Sequence, residues 1–337
     1  MNAYVNNLVN KLLKTNHESK YIDLCAQYSN RLIDNNLPVI FDKTHLALLI
    51  GLEKSYLTKL YLFENYTYKK VKIPKSSSGY RELDIPIEGL KFIQRWILEN
   101  ILENIPVSDY ATGFVKSTSI VNNASKHINK ECVINLDIKD FFPSIEFGSI
   151  FKIFYYHGYT KEVSYILAKL TTFDSRLPQG APTSPYISNI ICLKLDKRLS
   201  QLANKLNANY TRYADDITFS GKTEITKHIE LIKEIIQNEG FNVNDKKTRV
   251  QYYFQRQEVT GLIVNKKISV SKELKRNLRK DIYLCQKYGV YSHMKKIGIE
   301  KSNYKDHLYG LAYFIKMVEK EIGEKFLEEL DTIHWDY

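Results

Sequence analysis

Residues 209–221 read NYTRYADDITFSG. Arg212, Tyr213 and Ala214 precede an acidic pair, and Ile217, Thr218, Phe219 and Ser220 follow it. Aromatic and β-branched residues fit a pleated, half-buried surface. The stretch therefore reads as two short strands around a tight turn, with Asp215 and Asp216 at its tip. Adjacent carboxylates repel each other unless a cation neutralises them. Mg²⁺ takes hard oxygen ligands and keeps room for substrate phosphates. Taken alone, the pair is explained as well by a polar turn, since Asp is a common turn residue.

A third carboxylate shifts the balance. Residues 132–137, CVINLD, read as a short buried strand that ends on Asp137. Three carboxylates on neighbouring strands can hold two divalent ions about 4 Å apart, the geometry for in-line phosphoryl or nucleotidyl transfer. Asp140, three residues further on, should leave the strand face and is not expected to be a ligand.

The rest of the 337-residue chain suits a partner rich in phosphate. Hydrophobic residues make up 44% and charged residues 26%, a globular composition. Lys and Arg number 49 against 38 Asp and Glu, a net charge of +11, which points to a polyanion. Between Asn265 and Lys305 twelve Lys/Arg face three Asp/Glu, a net +9 interleaved with Tyr283, Tyr288, Tyr291 and Tyr304. A solvated helical face is the bland reading of such a run. The cation density over a whole C-terminal segment favours a grip on a nucleic-acid backbone. Cys25, Cys132, Cys192 and Cys285 lie far apart with no CxxC pair, so neither a structural zinc nor a disulfide scaffold is expected, and a reducing cytoplasm fits. The opening residues are not expected to act as a secretory signal, and no apolar run approaches the roughly 18 residues that span a bilayer.

Around these strands the patterning predicts helices in residues 1–60, a hairpin at 66–86 with its tip at 76–79, and a helix from Glu88 to Asn104. Further helices are expected at 146–157, 160–172, 184–206 and 224–238, strands at 248–254 and 258–264, and helices from Ser271 on.

Several boxes carry a family resemblance. Tyr213-Ala214-Asp215-Asp216 resembles the YxDD box of reverse transcriptases. The run Leu136 to Ile145, LDIKDFFPSI, resembles their first catalytic motif, and Leu177 to Pro185, LPQGAPTSP, their nucleotide-pocket motif. Asn123-Ala124-Ser125-Lys126-His127 is similar to the NAxxH box, and Val259-Thr260-Gly261 to the VTG box, of bacterial retron reverse transcriptases. The resemblance by motif covers about residues 60–265.

The resemblance implies an α+β right-hand polymerase: an N-terminal helical segment (1–60), fingers (61–136), a palm whose antiparallel sheet bears the YADD hairpin (137–264, its helices at 146–172 partly fingers) and a basic helical thumb (265–337). Asp137, Asp215 and Asp216 would be catalytic and would bind two Mg²⁺, with Mn²⁺ as a substitute and the Ile138 carbonyl as an extra ligand. Lys75, Arg81, Phe142, Gln179 and Gly180 would bind the dNTP, with Lys72 a weaker candidate. Phe142 would be the gate against a 2′-hydroxyl, or a core aromatic, or both. Asn123, His127, Val259, Thr260, Gly261, Lys275, Arg276 and Arg279 would meet RNA or primer–template, and either Lys246 or Lys247 would protonate pyrophosphate. The implied partners are a noncoding RNA, its single-stranded DNA copy made from a guanosine 2′-hydroxyl, an effector protein and host RNase H, in the cytoplasm and in defence against phage. Other prokaryotic reverse transcriptases and a non-catalytic RNA-binding scaffold are the alternatives.

Overall fold

The computed structural model describes residues 2–74, 79–298 and 303–335. In chain order the first elements are helices α1 (Ala3–Lys14), α2 (Ser19–Asp34), α3 (Lys43–Ile50) and α4 (Lys54–Leu62), strands β1 (Tyr68–Pro74) and β2 (Tyr80–Pro86), then α5 (Glu88–Asn100) and α6 (Ile120–Ser125). Strand β3 (Cys132–Asp137), helices α7 (Phe147–Tyr156), α8 (Lys161–Thr171), α9 (Ser184–Ile191) and α10 (Leu193–Lys205), and strands β4 (Asn209–Tyr213) and β5 (Asp216–Gly221) follow. The last elements are α11 (Ile229–Asn238), β6 (Arg249–Tyr252), β7 (Glu258–Val259), β8 (Leu262–Ile263), α12 (Lys272–Tyr288), α13 (Val290–Lys296), α14 (Tyr304–Val318) and α15 (Lys320–Asp331). The class is α+β, as expected. Among the described residues no helix is long and apolar enough to cross a membrane, and all four cysteines are buried, none of them in a disulfide.

The chain forms two compact units. The first holds the chain up to Val115, then Ile138–Arg198 and Lys233–Val243. The second holds Lys116–Asp137, Leu199–Ile232 and the chain from Asn244 on. Each unit is thus assembled from separate stretches, and its borders cut across the four consecutive segments read from the sequence.

In the first unit β1 and β2 pair antiparallel from Tyr68↔Pro86 to Pro74↔Tyr80. Buried Gln94 of α5 ties this hairpin to the helices, donating to the Tyr68 hydroxyl and to the Leu170 carbonyl at the end of α8. The long helix expected at 184–206 is broken at Cys192 into α9 and α10.

In the second unit the antiparallel sheet has the order β4-β5-β3-β6. Side chains alternate across a strand with period two. Ile134 and Leu136 of β3 lie opposite Phe219 and Ile217 of β5, and all four are buried. The other face carries Asn135 and Asp137 opposite Thr218 and Asp216. The expected strand at 258–264 is instead two short strands, with Val259 paired to Leu262. Thr260 and Gly261 between them have φ of +46° and +81°. Two consecutive left-handed residues make a tight hairpin turn, so the VTG box folds back where a plain strand was expected.

Helices α12 to α15 close over a core of Leu278, Ile282, Leu308, Ala312, Ile315, Phe326 and Leu330, continuous with Val259, Leu262 and Val133. Glu319, between α14 and α15, accepts hydrogen bonds from the Val270 N–H at 3.0 Å and from Lys275 Nζ at 2.8 Å. Both side chains of this ion pair are largely buried. Removing one partner strands the other charge in a poorly hydrated place, so Glu319→Ala should cost about 3 kcal/mol of stability. Urea denaturation measures this, and an unmoved midpoint would reduce the pair to a surface contact.

Candidate active site

Asp137 and Asp216 are direct partners in the β3–β5 register. Their backbones are therefore held at ladder spacing and their side chains project from the same face. Asp215 sits on the turn between Tyr213 and Asp216, which are themselves paired. Ala214 beside it has φ +56°, a left-handed conformation that costs a residue with a Cβ about 1–2 kcal/mol. Arg212, fully buried, donates from Nη1 to the Ala214 carbonyl at 3.2 Å and braces this turn.

The charges are in tension. The Asp216 carboxyl is pushed up to about 6, first by desolvation and then by repulsion from Asp215 and Asp137; Lys247 and Arg249 offset this only in part. Asp137 is buried and held from two sides. Lys247 Nζ lies 2.8 Å from its Oδ2, and Asn244 Nδ2 donates to its Oδ1 at 3.3 Å. The bond to Asp137 is the main cause that raises the Lys247 ammonium above its ordinary value. Of the two lysines left open by the sequence, Lys247 is thus the one at the carboxylates. Among the described residues no three acidic, His or Cys side chains converge to enclose an ion. The donor chemistry, hard oxygens under mutual repulsion, suits a divalent cation, and the Lys247 ammonium holds the Asp137 oxygen such an ion would take.

Asp140 is exposed with φ +48° and leaves the strand, as expected. Ile138 is buried in the first unit, bridged to Val243. Phe142 of the same unit is half-buried, its ring 5.4 Å from that of Phe141, which packs on Phe241. Gln179 accepts from the Asp84 N–H at 2.8 Å and so docks the nucleotide-pocket loop onto β2. Gly180 has φ +125°, and a Cβ there would stand 2.8 Å from the Asp84 carbonyl. Only glycine meets both conditions. Arg81 is exposed on β2 opposite Ile73, and Lys72 pairs with Glu82 at 3.3 Å. Lys75 lies outside the described residues.

The two retron-type boxes meet. Asn123, buried on α6, donates from Nδ2 to Thr260 Oγ1 at 3.3 Å. His127 is fully buried, with Nδ1 2.7 Å from Ser220 Oγ and Nε2 2.8 Å from Thr211 Oγ1. Its imidazole therefore has no surface to offer RNA in this conformation, contrary to the contact expected from the box; Val259 is likewise buried in the core. Of the three basic residues expected to grip nucleic acid, Lys275 is consumed by Glu319, and Arg279 lies over the Phe326 ring at 5.5 Å. Arg276 and Arg279 line a cleft of about 1320 Å³ with Tyr253 and Phe254, rings the sequence reading did not single out. Also missed was the set of hydroxyls under the hairpin: Thr218 and Ser220 alternating with Ile217 and Phe219 in β5, and Thr211 in β4, were its only trace.

The tension in the carboxylates has a measurable sign. Asp216 has a raised folded value, so its charge costs the folded state most above about pH 6 and nothing once pH falls below the ordinary carboxylate range near 4. Asp216 still reaches solvent, which tempers the repulsion. Asp216→Asn should therefore melt at higher temperature than the parent at pH 7.5 without divalent cations, with the gain fading between pH 6 and about 4. Melting curves at three pH values test it; a gain independent of pH would reject the repulsion.

The family described as reverse transcriptase (RNA-dependent DNA polymerase) matches residues 73–296. The chain is similar to the retron Ec86 reverse transcriptase of Escherichia coli, 32% identical over 318 residues that cover 91% of this chain and 99% of that protein. It is 36% identical over 297 residues to the retron Mx162 reverse transcriptase of Myxococcus xanthus, covering 77% of this chain and 60% of that longer protein. The retron Ec73 reverse transcriptase of Escherichia coli is 31% identical over 290 residues, 79% of this chain and 89% of its own. Boxes, sheet register and relatives agree: the chain belongs to the reverse transcriptases, RNA-directed DNA polymerases, and among them to the bacterial retron group.

Proposed function

We propose that this reverse transcriptase copies part of a structured noncoding RNA into multicopy single-stranded DNA, primed from an internal guanosine 2′-hydroxyl. The observation that carries the reading is Asp137 set opposite Asp216 with Asp215 on the adjoining turn, in a chain whose NAxxH and VTG boxes are joined by the Asn123–Thr260 bond.

Asp137, Asp215 and Asp216, with the Ile138 carbonyl, would hold two Mg²⁺ or in their place Mn²⁺. When bound, that pair supplies charge neutralisation to the attacking hydroxyl and to the leaving pyrophosphate. Lys247 releases Asp137 and donates its proton to a pyrophosphate oxygen. The Phe142 ring excludes a 2′-hydroxyl from the incoming sugar, and Gln179 and Gly180 shape the pocket loop. Lys75 and Arg81 clasp the triphosphate; Arg suits bidentate phosphate contact. Arg276 and Arg279, with the basic helices around them, grip the RNA–DNA backbone. In right-hand terms residues 61–136 serve as fingers, 137–264 as palm and 265–337 as thumb, behind an N-terminal helical segment. Host RNase H removes the copied template, and an effector protein from the same locus joins the enzyme in cytoplasmic defence against phage.

The protein expressed with its native locus should carry a small RNA joined to a single-stranded DNA of defined size, whose 5′ end a debranching enzyme frees. An unbranched 5′ end would leave the polymerase and remove the retron-type priming. Asp215→Asn should lower DNA synthesis at least ~10³-fold, about 4 kcal/mol of barrier; near-parental extension would remove the catalytic assignment.

A separate expectation concerns sugar choice. Phe142→Ala should admit ribonucleotides in competition with matched deoxynucleotides. An unchanged preference would leave Phe142 as packing alone.

A further inference from the structure

The polar face of the sheet continues below the carboxylates. Asp216, Thr218 and Ser220 alternate along β5, and Tyr213, Thr211 and Asn209 along β4, with Thr211 opposite Thr218 and Asn209 opposite Ser220. His127 reaches Thr211 on one strand and Ser220 on the other, a diagonal across the hairpin that carries Asp215 and Asp216. The Lys126 carbonyl beside it accepts from the Asn209 side chain, so the end of α6 holds β4 at two successive same-face residues. The other end of α6 is tied to the VTG turn, through Asn123 to Thr260 and through Thr260 Oγ1 to the Ile120 carbonyl at 3.5 Å.

We propose that His127 is a positioning residue for polymerisation: its neutral imidazole clamps β4 to β5 and so fixes where the catalytic hairpin presents its carboxylates. The argument is geometric. A neutral imidazole has one donor and one acceptor nitrogen. Two hydroxyls, one donating and one accepting, complete both. Burial, aided by the Lys130 charge, depresses its basicity to about 3, so it stays neutral at working pH. The hairpin above needs such a clamp, because Ala214 holds a left-handed backbone that relaxation of the turn would relieve. A carboxylate displaced by about 1 Å costs on the order of a hundredfold in rate.

The inference rests on the polymerase reading of the carboxylates, and the test keeps the two apart. Turnover and KM for dNTP are measured on a generic annealed primer and on the native RNA, per active molecule from burst amplitude. If the parent makes no DNA, or Asp216→Asn is as active as the parent, the polymerase reading fails. With the parent active, His127→Leu should lower kcat by about tenfold to a hundredfold on both substrates, with KM for dNTP little changed. His127→Asn keeps reach to Ser220 and His127→Gln reach to Thr211, and each should recover part of the loss. Thr211→Val with Ser220→Ala should cost about as much as His127→Leu, and the triple variant no more than either. Should His127→Leu not fold, the Asn, Gln, Thr211 and Ser220 variants carry the same comparison. Nitrogen NMR of labelled histidine should show His127 uncharged from pH 8 to about 5, through the ordinary range of the residue. Parental kcat per active molecule, additive losses, a His127 that titrates normally, or a defect confined to the native RNA would each overturn the clamp; the last would make His127 a reader of RNA.

Discussion

Two carboxylates forced together across neighbouring strands govern the second unit. The β3–β5 ladder sets Asp137 against Asp216, and hydrogen bonds along both strands leave neither free to retreat. Like charges directly opposite destabilise a sheet. The protein tolerates this because the apolar face of the same strands, with Ile134, Leu136, Ile217 and Phe219 buried, fixes the register. A one-residue slip would turn that apolar set outward. The hydrophobic face thus holds that repulsion in place.

Neutralisation of that repulsion is local and exchangeable. Lys247 follows β3 in space through Asn244, whose N–H is bonded to the Asp137 carbonyl at 2.8 Å. An ammonium on a flexible stem can leave a carboxylate when a better cation arrives. Beneath it the polar face is closed by uncharged groups. Thr218 Oγ1 donates to Asn135 Oδ1 at 3.1 Å, and Asn135 Nδ2 reaches Gln251 and the Glu258 carbonyl, both at 3.1 Å. Hydroxyls and amides give direction without adding charge to a crowded site. A charged imidazole at His127 would have no counterion among these hydroxyl partners, so burial keeps it neutral.

The hairpin, the three aspartates and the helical C-terminus were legible because local patterning and local chemistry agree there. Residues 132–137 and 209–221 alternate or run apolar with the acids at strand ends, and the strands appear where expected. What stayed hidden depends on partners far along the chain. Nothing in ASKH says that His127 lies under residues 211 and 220, and an exposed RNA-contacting helix face has the same spelling. The VTG turn was read as strand because Val, Leu and Ile favour strands, while the left-handed demand of Thr260 and Gly261 won locally. The break at Cys192 falls between Tyr186 and Leu206, where there is no Gly or Pro, so no punctuation announced it.

The basic C-terminus shows why a charge count is a poor map of a binding face. Its net +9 between Asn265 and Lys305 predicts a polyanion partner, yet individual cations have different employments. Lys275 stabilises the joint between α14 and α15 through Glu319. Lys287 lies over the Tyr283 and Tyr288 rings at 5.5 and 5.3 Å. Such residues still add to the long-range field that draws in phosphate, but moving them costs packing as well as charge. Arg276, exposed at the cleft beside Tyr253 and Phe254, carries no such structural duty among the contacts described. The fold therefore separates cations that hold the helices together, such as Lys275, from cations such as Arg276 that stand exposed at the cleft.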